Sequence, residues 1–278
     1  MTTVNSLSGG QTSSFVAANF PADFNVFALV TTNDKNCQFP DSKIRQIVSD
    51  KIGREFVGTL EDDLIIWTML ELEQFIGQKI HWVVGQPFEH IIQQKKFVPD
   101  IMTRFCTTEL KIKPIFDWWI DQNLDPIETR IGFRANEMAR AKRMIEKTNS
   151  NGFVEQKTIV GRTKNNAKNK WANVEWQKPT FPLIENGIFK DQIIEFWKNK
   201  PVKFAPINNC VGCFHRNEVL LNHMSKKHPN KFDWFVCQET ENQTFKKGTT
   251  YEKIKKYNFQ FEMFDSDFGG CDSGHCGI

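Results

Sequence analysis

The run Ser8-Gly9-Gly10-Gln11-Thr12-Ser13 constrains the fold more than any other stretch, because it joins a short apolar strand over residues 4–7 to a helix over residues 14–19. An anionic phosphate group suits such a junction. Adjacent glycines let the backbone turn tightly and present consecutive N–H groups, while the hydroxyls of Ser8, Thr12 and Ser13 add donors and the helix N-terminus adds partial positive charge. No lysine is required, and the Gly-x4-Gly-Lys-Ser/Thr spacing of the Walker loop occurs nowhere in the chain.

Strand and helix patterns continue to alternate after this junction. Residues 25–31 are a nearly continuous apolar run, as expected of a strand covered on both faces of a parallel sheet. The run ends at Thr32-Asn33-Asp34, where Asn33 and Asp34 either face a ribose or base or simply make the turn. Asp62 and Asp63 lead a helix that runs to about residue 76 and is ended by Gly77; residues 79–84 then form a third strand. A fourth strand begins near Thr129 and passes into a loop containing Gly132, Arg134 and Glu137.

With 278 residues and 40% hydrophobic content, the chain can bury an α/β core of about 200 residues and carry an appendage. The expected architecture is α/β, a Rossmann-like parallel sheet flanked by helices over residues 1–200, with a C-terminal cysteine region over 201–278. Between about residues 140 and 178 the composition shifts to Asn, Lys and Arg, as in RTKNNAKNKW. That predicts a basic mobile insertion, either a solvated loop or a surface that guides an anionic substrate or touches nucleic acid.

The net charge of +3 is too small to make nucleic-acid binding the main business of the chain. No apolar run approaches the roughly 18 residues of a membrane span, and the first residues are polar where a signal peptide is apolar, so a cytoplasmic location is expected. Seven cysteines in a reducing compartment point to metal, cluster or redox chemistry before disulfides. Cys106 is expected just ahead of a helix capped by Thr107 or Thr108, a position that lowers a thiol pKa, with Arg104, Lys111 and Lys113 nearby. Cys210-x-x-Cys213 is a chelating pair. Cys271 and Cys276 lie in a glycine-rich tail, where flexibility suits a thiol that must visit two places.

Five segments in order carry a family resemblance. SLSGGQTSS resembles the S-G-G-x-D/T-S loop of the adenine-nucleotide α-hydrolase (PP-loop) superfamily, with Thr12 where many members have Asp. RFCTTELKIKP resembles the C-C-x-x-R-K-x-x-P element of sulfonucleotide reductases, with Phe105 in place of the first cysteine and with Lys111 and Pro114 matching. IGFRANE is similar to the G-I-R-x-x-E segment through Gly132, Arg134 and Glu137. FPLIENGI followed by CVGCF resembles the stretch leading into the metal-type cysteines. Cys276-Gly277-Ile278 partly matches the E-C-G-I/L-H tail, with His275 in place of Glu.

Resemblance to the phosphoadenosine phosphosulfate (PAPS) reductase-like family implies an adenine nucleotide, ATP or PAPS, held at Ser8, Gly9, Gly10, Thr12 and Ser13, with magnesium as an accompanying ion. Lys111 would contact the nucleotide and Arg134 would clamp phosphate or sulfate. Cys106, Cys210 and Cys213 would hold a four-iron four-sulfur cluster, its fourth corner going to Cys271, Cys276 or a non-protein ligand. The alternatives are zinc on Cys210, Cys213, His223 and His228, or thiols without metal. Cys276 would attack the sulfonucleotide sulfur, and a thioredoxin-like reductant would release the product. Two other functions remain open: an ATP-pyrophosphatase-type sulfurtransferase that thiolates a nucleic-acid base, and a non-enzymatic nucleotide-binding module with a zinc-stabilised end.

Overall fold

Burial on both faces of the central strands decides the architecture. The computed structural model describes residues 1–162 and 168–257. Its strands are β1 (Thr3–Leu7), β2 (Phe24–Leu29), β3 (Thr31–Thr32), β4 (Gly58–Thr59), β5 (Ile80–Val84), β6 (Ile127–Arg130), β7 (Val154–Arg162) and β8 (Asn169–Thr180). Six of them form one sheet in the order β5-β2-β1-β6-β8-β7. Every pair in it is parallel except β7 with β8. β3 and β4 make a separate antiparallel pair.

Alternation along β2 shows how both faces are used. Phe27 and Leu29 join one cluster with Leu7, Ile80 and Trp82, covered by α1 (Gln11–Asn19), α2 (Ser42–Ile52), α3 (Leu64–Ile76) and the later α9 (Lys190–Trp197). Val26 and Ala28 join a second cluster with Val4, Ile127 and Trp176. The helix over it, α6 (Lys113–Asp121), contributes Phe116, Trp118 and Trp119. Side chains that alternate between two apolar layers produce the continuous apolar run seen in the sequence. A buried amide ladder crosses the same strands: Asn5 Nδ2 donates to Asn25 Oδ1 at 3.0 Å, and Asn25 Nδ2 donates to Gln78 Oε1 at 3.0 Å.

The remaining helices are α4 (Phe88–Lys95), α5 (Phe105–Thr107), α7 (Met138–Ile145), α8 (Pro182–Glu185), α10 (Glu218–Lys227), α11 (Pro229–Gln238) and α12 (Tyr251–Lys256). The last three share a cluster with Val30, Leu60, Phe88 and Leu110 through residues such as Leu221, Phe232 and Tyr251, and Val211, ahead of α10, joins it. They therefore cap the end of the sheet at which β2 stops. Among the described residues no helix is long and apolar enough to cross a membrane.

Two elements of the fold differ from the sequence reading. Residues 140–178, expected as a mobile insertion, contain most of α7 and the β7–β8 hairpin, and β8 pairs in parallel with β6 inside the main sheet. Trp176, only 1% exposed, anchors that strand against Phe116 and Trp119. The strand expected over 25–31 stops at Leu29, and Thr31–Thr32 turns away to pair with Gly58–Thr59. On α9, Ile193 and Trp197 are buried, but Ile194 is 44% exposed, because the covered face is narrower than the apolar stripe.

Trp176→Ala should cost about 3–5 kcal/mol of stability, read as a lower urea midpoint at unchanged slope. A loss under 1 kcal/mol would mean that β8 is not part of the core.

Candidate functional site

The chain order of the parallel strands reverses at β1, which lies between β2 and β6. Crevices form at such a reversal, outside the carboxyl ends of the strands. The loop that follows β1 is Ser8–Gly10, and Gly10 caps α1. Gly9 adopts φ +79°, and an added Cβ would stand 2.5 Å from Ile65 Cγ2, so glycine is required there both by conformation and by space. Gly132, two residues beyond β6, approaches from the other side of the crevice; a Cβ on it would lie 3.3 Å from Ser13 N and Cα. Trp197 Nε1 donates to Gln11 O at 3.0 Å and holds the first turn of α1 in place.

The hydroxyls divide their work. Ser13 Oγ accepts from Ser8 N at 3.1 Å, lies 3.0 Å from Ser8 Oγ and donates to Gly10 O at 3.2 Å, so it is engaged within the loop. Thr12 and Ser13 are both buried. The donors the loop can turn outward are then mainly the first backbone N–H groups of α1, which have no intrahelical acceptor.

Residues 105–121 form one helical run with an irregular middle: α5, a π turn over Thr108–Ile112, then α6. Pro114 stands in the first turn of α6. In a regular helix its ring would collide with the carbonyl of Leu110, and the wider π turn relieves that contact. Lys111 is carried on this turn. Its Nζ reaches Glu61 Oε1 at 3.0 Å and Asn209 Oδ1 at 3.3 Å.

Two neighbouring cavities share Thr107 and Lys111 as a common wall. One opens on Ser6, Leu7 and Ser8 at the end of β1. The other is lined by Cys106, Cys210, Cys213 and His215 among apolar side chains that include Val30, Phe88 and Phe235. Cys106, about a hundred residues before the Cys-x-x-Cys pair, thus faces the same space as that pair. Cys237, by contrast, is exposed and Cys37 is buried against Asn230 O.

Several contacts hold the Cys210–Cys213 turn. Val211 N donates to Leu60 O at 2.8 Å, Cys213 N donates to Cys210 O at 3.1 Å, and Tyr251 Oη donates to Gly212 O at 3.0 Å. Gly212 lies flat on Phe235, whose ring would be 2.4 Å from an added Cβ. Asn209, just before the turn, takes φ +71°, a conformation Asn tolerates better than most residues.

Of the carboxylates beneath this turn, Asp62 and Asp63 were expected only as the start of a helix, and Glu61 was not singled out. Glu61 is 1% exposed, and its Oε2 finds no hydrogen-bond partner among the described residues. Asp62 accepts from Lys227 Nζ at 2.9 Å and lies 3.1 Å from His228 Nε2, while Lys231 Nζ donates to Glu61 O at 2.7 Å and to Asp63 Oδ1 at 2.6 Å. Burial raises the Asp62 carboxyl, but hydrogen bonds from His228, Lys227 and Leu64 N outweigh it and hold the group well below the usual carboxylate range. The run Glu-Asp-Asp was the available signal, but its partners are far away in sequence.

Other expected residues fall as follows. Arg134 donates to Glu137 Oε2 from both N and Nε at 3.0 Å, and Glu137 also binds Arg140, so this segment is closed by its own ion pairs. Arg134 lines neither of the two cavities. His228 is turned to Asp62, and neither it nor His223 lines the thiol cavity. Asp34 accepts from Asn36 N at 2.8 Å and makes the turn. Cys271 and Cys276 lie outside the described residues.

Cys106 departs from expectation. It is the middle residue of α5, not ahead of it, and burial with the neighbouring Cys213 pushes its thiol up to about 11 rather than down. Burial, followed by the Glu61 carboxylate, also raises Cys210. The apolar walls disfavour a thiolate more than Lys111 favours one. Three thiols in one cavity are donor chemistry suited to zinc or an iron–sulfur cluster. Among the described residues, no three His, Cys, Asp or Glu side chains stand in the arrangement of a metal site.

Comparison with protein-family models, curated proteins and solved structures finds no match to the chain.

Two outcomes follow from these environments. Iodoacetamide at pH 8 should modify exposed Cys237 well before Cys106 or Cys210, whose rates should rise only toward the alkaline end; peptide mass spectrometry reads the order, and faster labelling of Cys106 would contradict the apolar cavity. The depressed Asp62 pKa contributes stability that is fully present above its unfolded value of about 3.9 and is lost as pH falls through the lower folded value. Lys227→Met should therefore cost about 0.5–1 kcal/mol at pH 7, and its difference from wild type should shrink at the acid end of a urea-midpoint series. A constant difference would remove Asp62 from the account.

Proposed function

We propose that this chain is a PAPS-reductase-like enzyme of the adenine-nucleotide α-hydrolase type, which binds an adenine nucleotide at the loop after β1 and carries out thiol-dependent sulfur chemistry. The observation that supports it best is the shared wall: Thr107 and Lys111 separate a cavity opening on Ser8 from one lined by Cys106, Cys210 and Cys213. A nucleotide with its phosphates at Ser8–Ser13 would extend toward Lys111. Its reacting sulfur would then lie on the thiol side.

In this reading the backbone N–H groups at Gly9, Gly10 and the start of α1 bind phosphate, and the Lys111 ammonium neutralises it. Ser8 and Thr12 flank the phosphate, Ser13 shapes the loop from within, and Arg134 is a clamp only if it exchanges Glu137 for the ligand. A Cys276 thiolate attacks the sulfonate sulfur of PAPS; the bond from that sulfur to the phosphate oxygen breaks, and the nucleotide leaves as a phosphate. The enzyme is left as a thiosulfonate. A thioredoxin-like dithiol then cleaves it, releasing sulfite and becoming a disulfide. Cys106, Cys210 and Cys213, with Cys271 as a fourth ligand, would hold a four-iron four-sulfur cluster, which would supply one-electron redox chemistry beside the reacting sulfur.

A second reading, an ATP-pyrophosphatase-type sulfurtransferase acting on a nucleic-acid base with ATP and magnesium, is favoured by the cationic hairpin β7–β8. Anaerobically purified protein, analysed for iron, sulfide and zinc, separates these readings through its products. Sulfite released from PAPS with thioredoxin supports the first, and pyrophosphate released from ATP only with RNA or DNA supports the second. Neither product from metal-replete protein leaves a nucleotide-binding module. Gly10→Asp should abolish nucleotide binding by calorimetry; unchanged affinity would remove the loop from the site.

A further inference from the structure

The hairpin that replaces the expected loop has two unlike faces. Along its ladder Lys157 pairs with Asn173, Ile159 with Trp171 and Arg162 with Asn169. Side chains alternate across a strand, so Asn169, Trp171 and Asn173 share one face with the residues opposite them. All six of these positions are exposed, whereas Thr158 and Ala172 on the other face are half-buried. Trp171 is 56% and Ile159 46% exposed. Nearer the base of the hairpin the same face carries Glu155, which accepts from Asn149 at 2.9 Å and from Asn173 at 3.2 Å, and Glu175, which accepts from Asn151 at 2.9 Å; these amides leave the carboxylate charge in place, so an anionic ligand is confined to the outer part of the face, beyond them. The cations on this face, Lys157 and Arg162, are exposed and stand on either side of the Ile159–Trp171 pair; Lys170 belongs to the opposite face.

Lysines along an edge strand also discourage pairing with another sheet, and β7 is the edge of this one. That purpose does not explain an exposed Trp opposite an exposed Ile, which would promote association. An aromatic face bracketed by cations has a more specific complement: an unpaired base stacked on the ring, with its phosphates on the flanking lysine and arginine.

We propose that the β7–β8 hairpin is a binding surface for single-stranded nucleic acid, with Trp171 as the stacking platform and Lys157 and Arg162, on the same face, as phosphate contacts. The inference rests on the hairpin and not on the nucleotide loop. It holds whichever reaction occurs at the thiol cavity, and it supplies the second reading of the function with a substrate class.

The experiment uses the full chain without added nucleotide, so that its outcome is independent of the loop. Fluorescein-labelled oligo(dT) and oligo(U) of about 15 nucleotides, within the site size of single-strand binders, are titrated by anisotropy from about 50 to about 200 mM salt. Binding should weaken steeply with salt. Trp171→Ala should weaken it by about tenfold or more, and Trp171→Phe should restore most of the loss. Lys157→Gln with Arg162→Gln should reduce the salt slope by about 1–2. Because Trp171 is exposed, its variants should keep the wild-type unfolding midpoint, which excludes a folding defect as the cause. Equal binding by wild type and Trp171→Ala, tighter binding of the matching duplex, or equal competition by heparin would each overturn the proposal. So would failure to bind either oligonucleotide, including a result in which the exposed Ile159–Trp171 pair instead mediates self-association seen by sedimentation.

Discussion

Glu61, Asp62 and Asp63 are the three carboxylates on which the arrangement at the carboxyl edge depends. They stand between the sheet and the C-terminal helices, and each receives a cation from elsewhere: Lys111 from the π turn, Lys227 from α10 and Lys231 from α11. Taking a carboxylate out of water costs several kcal/mol, and pairing in the interior recovers roughly that amount, so such pairs contribute little net stability. Their effect is on position. A seating of α10 and α11 that separated these pairs would leave Asp62 and Lys231, both largely buried, without their partners. The apolar cluster that joins the cap to Val30, Leu60 and Phe88 supplies the attraction without that selectivity.

The same corner sets the chemistry available in the thiol cavity. Glu61 sits under Cys210 through an isolated bridge between the two residues, and its negative charge, added to burial, favours the protonated thiol. Lys111 opposes it from the other side while also facing the loop after β1. A ligand that draws Lys111 away from Glu61 would change the charge balance at Cys210 without touching the thiol. The two cavities are thus coupled electrostatically through one ammonium group, over distances at which low polarity keeps the interaction strong.

Elements specified by neighbouring residues were legible in the chain. The strand before Ser8, the glycine turn, the helix from Leu64 and its end at Gly77 rest on apolar period and on residues that tolerate left-handed backbone, all read within a few positions. The hairpin was missed because a lysine- and asparagine-rich composition suggests solvent, while the residue that secures it, Trp176, finds Phe116 and Trp119 sixty residues earlier. The thiol pKa at Cys106 was misjudged in direction. Helix position and nearby lysines are visible locally, but the apolar walls that outweigh them come from Val30, Phe88 and Phe235. Lys111 was singled out by motif, yet its partner Glu61 lies 50 residues away.

By itself the amino-acid order determined the alternating strand and helix units, the glycine turn after β1 and the pairing of Cys210 with Cys213 in one short turn, because each follows from backbone preference and side-chain period over a few residues. Only the tertiary structure decided that β8 enters the sheet, that Cys106 shares a cavity with those two cysteines, and that Glu61 rather than solvent receives Lys111. Those outcomes depend on burial and on charge compensation between segments remote in the chain, and neither quantity exists until the segments have packed.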